Sequence, residues 1–212
     1  MTFVPPRPQS MMIPGPVGAL QAIVEEPENA PYAHCAVLCH LHPLHGGTMT
    51  NKIIHTLART FNECGLPTAR FNYRGVGESE GSYGDGVGET EDALAVIKWA
   101  RDRWSNAPLW LAGASFGGGV ALRAAQRTAV ERMVMVAPAV ARDAPIDHLP
   151  TCPWLIVQGD ADDVVPAELV SHWVEQIPSP PQLIVLPGVG HYFHGHLGEL
   201  RDVVRNWLSC EI

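Results

Sequence analysis

Short, nearly unbroken apolar runs punctuate this chain, at residues 36–41 (AVLCHL), 109–114 (LWLAGA), 132–137 (RMVMVA), 153–158 (PWLIVQ) and 182–186 (QLIVL). A strand with one face in water alternates apolar and polar residues. A run that is apolar at nearly every position must be covered on both faces, which marks a mostly parallel sheet held between helices. The stretches between the runs read as those helices. At 51–64, Ile53, Ile54, Leu57, Ala58 and Phe61 fall on one face. At 89–104, Ala93, Val96, Ile97, Ala100 and Trp104 do so, and at 197–209 Leu200, Val203, Val204, Trp207 and Leu208. Two more helices are predicted at 117–128 and from Pro166 to about Gln176, with further strands at 68–73 and, half-exposed, at 16–26. The expected fold class is therefore α/β: a doubly wound, mostly parallel sheet with helices on both faces. Residues 1–12 are rich in proline and read as a flexible N-terminal arm, and residues 13–212 as a single domain.

Charge narrows the choice of partner. The formal net charge is −8 and no run of Lys or Arg occurs, which argues against nucleic acid and anionic membrane. No apolar stretch approaches the roughly 18–20 residues of a membrane span, and the N-terminus lacks the basic start and apolar run of a secretory signal. The five cysteines are odd in number and irregularly spaced, and Cys35 and Cys39 would share one face of a single strand. Reduced thiols and a cytoplasmic location are expected.

In sheets of this kind ligands bind beyond the carboxyl ends of the strands, so the chemistry is sought in the loops there. The sharpest signal is Gly113-Ala114-Ser115-Phe116-Gly117, set between a buried strand and a helix. A serine on so tight a turn has its hydroxyl pushed out above the sheet, and only small neighbours fit beside it. A serine hydroxyl is a weak nucleophile and needs a base within hydrogen-bond reach. His191 follows the last strand in Leu186-Pro187-Gly188-Val189-Gly190-His191, with His194 and His196 as rivals farther from the strand end. An imidazole in that role needs a carboxylate to fix its tautomer. After the strand at 153–158, Asp160, Asp162 and Asp163 compete for this place. Attack on a carbonyl generates an oxyanion, which two backbone N–H groups should face. One is that of Phe116. The other belongs to the loop after residues 36–41, where Pro43 has no N–H; His42 is the choice and Leu44 the alternative.

Together these residues resemble the α/β-hydrolase superfamily, over about residues 16–208, and more narrowly its small bacterial serine hydrolases without a lid, of carboxylesterase or dienelactone-hydrolase type. His42-Pro43-Leu44-His45-Gly46-Gly47-Thr48-Met49-Thr50-Asn51-Lys52 is similar to that subgroup's oxyanion loop, and Phe71-Asn72-Tyr73-Arg74-Gly75-Val76-Gly77-Glu78-Ser79 to the superfamily's N-x-R-G-x-G-x-S loop. Gly159 to Pro166 fits the G-x-x-D-x-x-x-P pattern of related esterases, which implies Asp162 as the acid. The chain order Ser115, Asp162, His191 is the superfamily's order. Many relatives read His-Gly where this chain has His40-Leu41. The resemblance implies hydrolysis of a small-molecule acyl substrate through an acyl-serine, with neither metal nor organic cofactor. Only Pro138 to Cys152 separate the strands at 132–137 and 153–158, too few residues for a cap domain. An open pocket and short-chain acyl esters are expected, with thioester, lactone or peptide hydrolysis as alternatives on the same machinery.

Two other classes compete. His40, His42 and His45, and again His191, His194 and His196, have spacings seen in metal sites, but no acidic ligand adjoins the first cluster. A non-catalytic binding module would keep the fold while having no use for three matched residues on three loops. Arg74 is read as a structural residue holding the Gly75–Gly88 loop, and Trp110 and Trp154 as core.

Overall fold

The structure is a computed structural model that describes residues 3–28, 30–139 and 149–209. An eight-stranded sheet runs in the order β1-β2-β4-β3-β5-β6-β7-β8. Its strands are β1 (Gln9–Gly15), β2 (Gly18–Glu25), β3 (Cys35–Cys39), β4 (Thr68–Phe71), β5 (Leu109–Ala114), β6 (Arg132–Val136), β7 (Trp154–Gly159) and β8 (Gln182–Leu186). From β4 to β8 every neighbour is parallel; β1 and β2 form an antiparallel hairpin at one edge. All five residues of β3 and all six of β5 and of β7 are buried, as strands covered on both faces must be.

Alternate residues feed two cores. Trp110, Ala112 and Ala114 of β5 pack with Ile53, Ile54, Leu57 and Phe61 of α1 (Lys52–Glu63) and with Leu200, Val204, Trp207 and Leu208 of α5 (Leu197–Ser209). Leu109 and Leu111 face the other way, toward Ala93, Val96 and Ile97 of α2 (Val87–Arg103) and Val120, Ala121 and Ala124 of α3 (Phe116–Ala125). Val170, Trp173 and Val174 of α4 (Ala167–Glu175) cover Met133, Met135 and Trp154. No described helix is long and apolar enough to cross a membrane.

At the N-terminus one expectation needs correction and another gains a partner strand. Residues 9–12, expected in the flexible arm, belong to β1, and the strand expected at 16–26 is the second half of a hairpin that turns at Pro16-Val17. The register Ile13↔Leu20 explains both, because Ile13 is fully buried against the sheet while its neighbours along β1 are not. One buried residue leaves too short an alternation to read as a strand. Helix α2 also begins two residues earlier than the expected 89. The Glu89 carboxylate accepts the N–H groups of Gly84 (2.8 Å) and Gly86 (2.7 Å), and so caps a start that glycines made look like loop. Part of the connection between β6 and β7, residues 140–148, lies outside the described residues.

Candidate active site

Strand β5 passes into α3 through a single residue. Ser115 has φ 52° and ψ −121°, a strained conformation for a residue with a side chain. The turn is held from both sides: the Ser115 N–H donates to the Val136 carbonyl at the end of β6 (2.8 Å), and the Ser115 carbonyl accepts the N–H of Gly118 (2.9 Å). Glycine is required beside it by close approach. A Cβ on Gly113 would lie 2.1 Å from the Gly117 carbonyl oxygen, and one on Gly117 would lie 2.2 Å from that of Cys39. The strain and the crowding together aim the Ser115 hydroxyl at the carboxyl rim of the sheet.

Two other loops reach the same point. His191 follows β8, and its Nε2 lies 3.0 Å from Ser115 Oγ. Its Nδ1 lies 2.8 Å from Asp162 Oδ2, in the loop after β7. All three side chains are buried. Asp162 Oδ1 accepts the N–H groups of Val164 (2.9 Å) and Val165 (2.7 Å), and Oδ2 also accepts from Gln158 Nε2 (3.0 Å). Burial, the largest influence on this carboxyl, pushes its pKa up. The hydrogen bond with His191 and the amides of Val165 and Val164 outweigh it and hold the group below the ordinary aspartate value. An ionised Asp162 can only accept, so Nδ1 carries the imidazole proton and Nε2 is left free to accept from the serine hydroxyl.

The rivals go elsewhere. Asp160 is an exposed loop cap whose Oδ1 accepts the Gly188 N–H (2.6 Å), and Asp163 faces solvent. His194 is exposed, and His196 pairs with Glu199 at 3.0 Å. Among the described residues no three His, Cys, Asp or Glu side chains gather as a metal site. Arg74 grips Asp92 of α2 through two guanidinium nitrogens (2.7 to 3.1 Å) and so holds its loop. Trp110 and Trp154 are buried core residues.

The loop after β3 folds over the site. The His42 carbonyl accepts the N–H groups of His45 (3.1 Å) and Gly47 (3.0 Å), and a Cβ on Gly47 would lie 2.1 Å from the Leu41 oxygen. The Leu44 N–H is engaged by the His42 ring at Nδ1 (3.2 Å), whereas among the described residues the N–H groups of His42 and Phe116 meet no acceptor. Of the two amides considered for the second oxyanion donor, that of His42 is the unengaged one. The cavity at the rim measures about 290 Å³ and is lined by Ser115, His191, His42, Asn51, Val164 and Tyr192 among others.

Two contributors escape the sequence reading. Gln158 donates both to Asp162 and to the Val165 carbonyl (2.9 Å), bracing the acid loop; its one legible sign is a polar residue at the end of an apolar run. Tyr83 Oη lies 3.4 Å from the Nε2 of His42 and steadies that ring, from a loop whose sequence gives no such hint.

Comparison with known proteins identifies the family to which this fold belongs. The family model described as serine aminopeptidase, S33, matches residues 38–151. A solved α/β serine hydrolase homologue from Coxiella burnetii is 43% identical, covers 98% of this chain and 100% of its own, and superposes with a TM-score of 0.90. A serine hydrolase without a lid from Xanthomonas campestris is 36% identical, with 98% of each chain covered and a TM-score of 0.88. An uncharacterized protein of Rickettsia prowazekii is 30% identical over 205 residues, 92% of this chain and 86% of that one. With its sheet order, its serine turn and these likenesses, the chain belongs to the α/β-hydrolase superfamily, within the serine aminopeptidase S33 family, and shares the architecture of members that lack a lid.

Proposed function

We propose that the protein is a serine esterase acting on small or short-chain acyl esters, with Ser115 as nucleophile, His191 as general base and acid, and Asp162 as the group that orients and stabilises the imidazole. The observation that carries this reading is the unbroken hydrogen-bonded series from Asp162 to His191 (2.8 Å) to Ser115 (3.0 Å) at the carboxyl rim of the sheet.

In this reading Ser115 Oγ attacks the ester carbonyl carbon while His191 Nε2 takes the hydroxyl proton. The imidazolium is stabilised by the adjacent Asp162. The oxyanion is held by the N–H groups of Phe116 and His42, where charge develops. Collapse breaks the bond to the alcohol oxygen, which leaves with the proton from Nε2. Water then attacks the acyl-serine, giving its proton to His191, and the acid departs as Ser115 regains its hydrogen. The sum is ester plus water to acid plus alcohol. An open cleft of about 290 Å³ supports a preference for short acyl groups.

The test is labelling by a fluorophosphonate probe together with hydrolysis of p-nitrophenyl acetate, butyrate and decanoate. The intact protein labels and prefers the two short esters; Ser115→Ala does neither, a loss of about 10³-fold or more. Persistent hydrolysis by Ser115→Ala, or no labelling of the intact chain, would overturn the esterase. The family model's description favours one second reading, cleavage of an N-terminal peptide bond. Amino-acid p-nitroanilides in the same assay decide between the two.

A further inference from the structure

Beside the serine and the histidine, the cavity holds two exposed, largely apolar side chains that the hydrolytic steps do not use. Tyr192 is 47% exposed and Val164 55% exposed. Tyr192 sits between two residues anchored inward, His191 and the fully buried Phe193. The loop is pinned as well: the Phe193 N–H donates to the Gly190 carbonyl (3.0 Å), and the Phe193 carbonyl accepts the His196 N–H (3.0 Å). The Tyr192 ring meets the His191 ring edge-on, at 84° with centroids 5.1 Å apart, and stacks on His194 at 5.8 Å and 24°. Its position is thus set by neighbours on both sides, and the exposed ring lines the cavity.

Where that face lies in the reaction follows from proton transfer. In the reading proposed above, on which this inference rests, the departing oxygen must come within hydrogen-bond reach of His191 Nε2. The carbonyl oxygen is fixed at the amides of Phe116 and His42, so the departing group extends past His191. Among the residues that line the cavity, Tyr192 adjoins His191 with its ring edge-on to the imidazole, and Val164 follows Asp162 by two residues.

We propose that Tyr192 and Val164 form a subsite for the departing alcohol, and that it takes a flat apolar group: the protein selects esters of arylmethyl alcohols over those of small alkyl alcohols. A ring edge or face on Tyr192 and methyl contacts from Val164 hold such a group, and its burial removes apolar surface from water on both sides. Both are specificity-determining residues here, since they touch only the part of the substrate that leaves in the first step.

That restriction supplies the test. Benzyl, cyclohexylmethyl and ethyl acetate share one acyl group and therefore one acetyl-serine. The intact protein should show kcat/KM for benzyl acetate above that for ethyl acetate by about tenfold, and Tyr192→Ala should erase most of that ratio while Tyr192→Phe keeps it. Val164→Ser should lower it several-fold, and cyclohexylmethyl acetate should fall between the other two. Breakdown of the acetyl-serine, read from the steady state of p-nitrophenyl acetate hydrolysis after its burst, should change by less than about twofold, because the alcohol has already gone. An unchanged benzyl-to-ethyl ratio in Tyr192→Ala overturns the subsite, as does an equal slowing of deacylation, which would make Tyr192 a support for His191. If Ser115→Ala still hydrolyses these acetates, the esterase reading itself fails and the subsite with it. If hydrolysis needs Ser115 but shows no preference among alcohols, the subsite alone fails.

Discussion

Neighbouring histidines on one loop have opposite lives. His40, at the end of β3, is fully buried: its Nδ1 donates to the Leu41 carbonyl (2.6 Å) and its Nε2 accepts the Tyr73 N–H (3.3 Å). His42, two residues on, keeps its ring partly in solvent against Phe116 and Tyr83. Burial lowers the His40 pKa from 6.5 to about 4, so the imidazole is neutral in the folded chain above about that pH. Unfolding exposes it to protonation as pH falls below about 6.5, whereas the folded chain takes up that proton only near 4. Stability from this residue is therefore complete above 6.5 and is lost on going down to 4. The expected slope is ~1.4 kcal/mol per pH unit across that window. Urea unfolding of the intact protein and of His40→Gln at several pH values checks this: the variant is less stable at neutral pH, but its stability falls less steeply with acid. Equal slopes would refute a buried neutral imidazole. The sequence offered three histidines, His40, His42 and His45, without ranking them, since residue type carries no record of burial. Ser115 and His191 were legible because each follows a recognisable strand end. Among three acids in one loop, only the family's spacing favoured Asp162.

The elements explain how a turn of so few residues can hold the proposed nucleophile. Strand β5 and helix α3 share Ser115 as their only link, and α3 starts pressed against the end of β3. A Cβ on Gly117 would lie 2.2 and 2.4 Å from the carbonyl oxygens of Cys39, the last residue of β3, and of His40, which accepts from the Tyr73 hydroxyl. Gly117→Ala should therefore cost about 2 kcal/mol or more and abolish fluorophosphonate labelling, because the helix must move away from the site. Gly119, two residues further along the same helix, provides the contrast. Its nearest neighbour would be Arg123 Nη1 at 3.5 Å, so Gly119→Ala should be tolerated and gain up to ~1 kcal/mol from helix propensity. Chemical denaturation of both variants tests the pair. Equal destabilisation would mean that close approach to β3 is not what demands the glycine. At this scale the sequence was most informative where apolar runs and helical spacing were long. It missed the first residues of α2, where Val87-Gly88 read as loop and the capping by Glu89 depends on a carboxylate folding back to Gly84 and Gly86.

For the molecule as a whole, the parallel core could be read from its continuous apolar strands, and the antiparallel margin could not. Strand β2 sits between β4 and β1, and its outer edge is satisfied only by β1. The burial pattern of β1 has one buried position among seven residues, Ile13, and Pro14 is tolerated there because β1 is an edge strand. A hairpin of this kind has weak local signals; its value to the fold lies in covering a neighbour. That makes the N-terminus divisible in a testable way. Removing residues 1–8 takes away chain outside β1 and should change stability by less than about 0.5 kcal/mol. Removing residues 1–15 deletes β1 with its fully buried Ile13, and bares the N–H and C=O groups along residues 18–25. Loss of the buried isoleucine alone should cost about 3 kcal/mol, and a newly bared strand edge invites pairing between copies. Urea midpoints and sedimentation over a range of concentrations follow the two effects separately. The shorter deletion should match the intact protein in both. The longer one should be destabilised and associate increasingly with concentration. If both behave alike, β1 is dispensable, and the sheet ends in effect at β2.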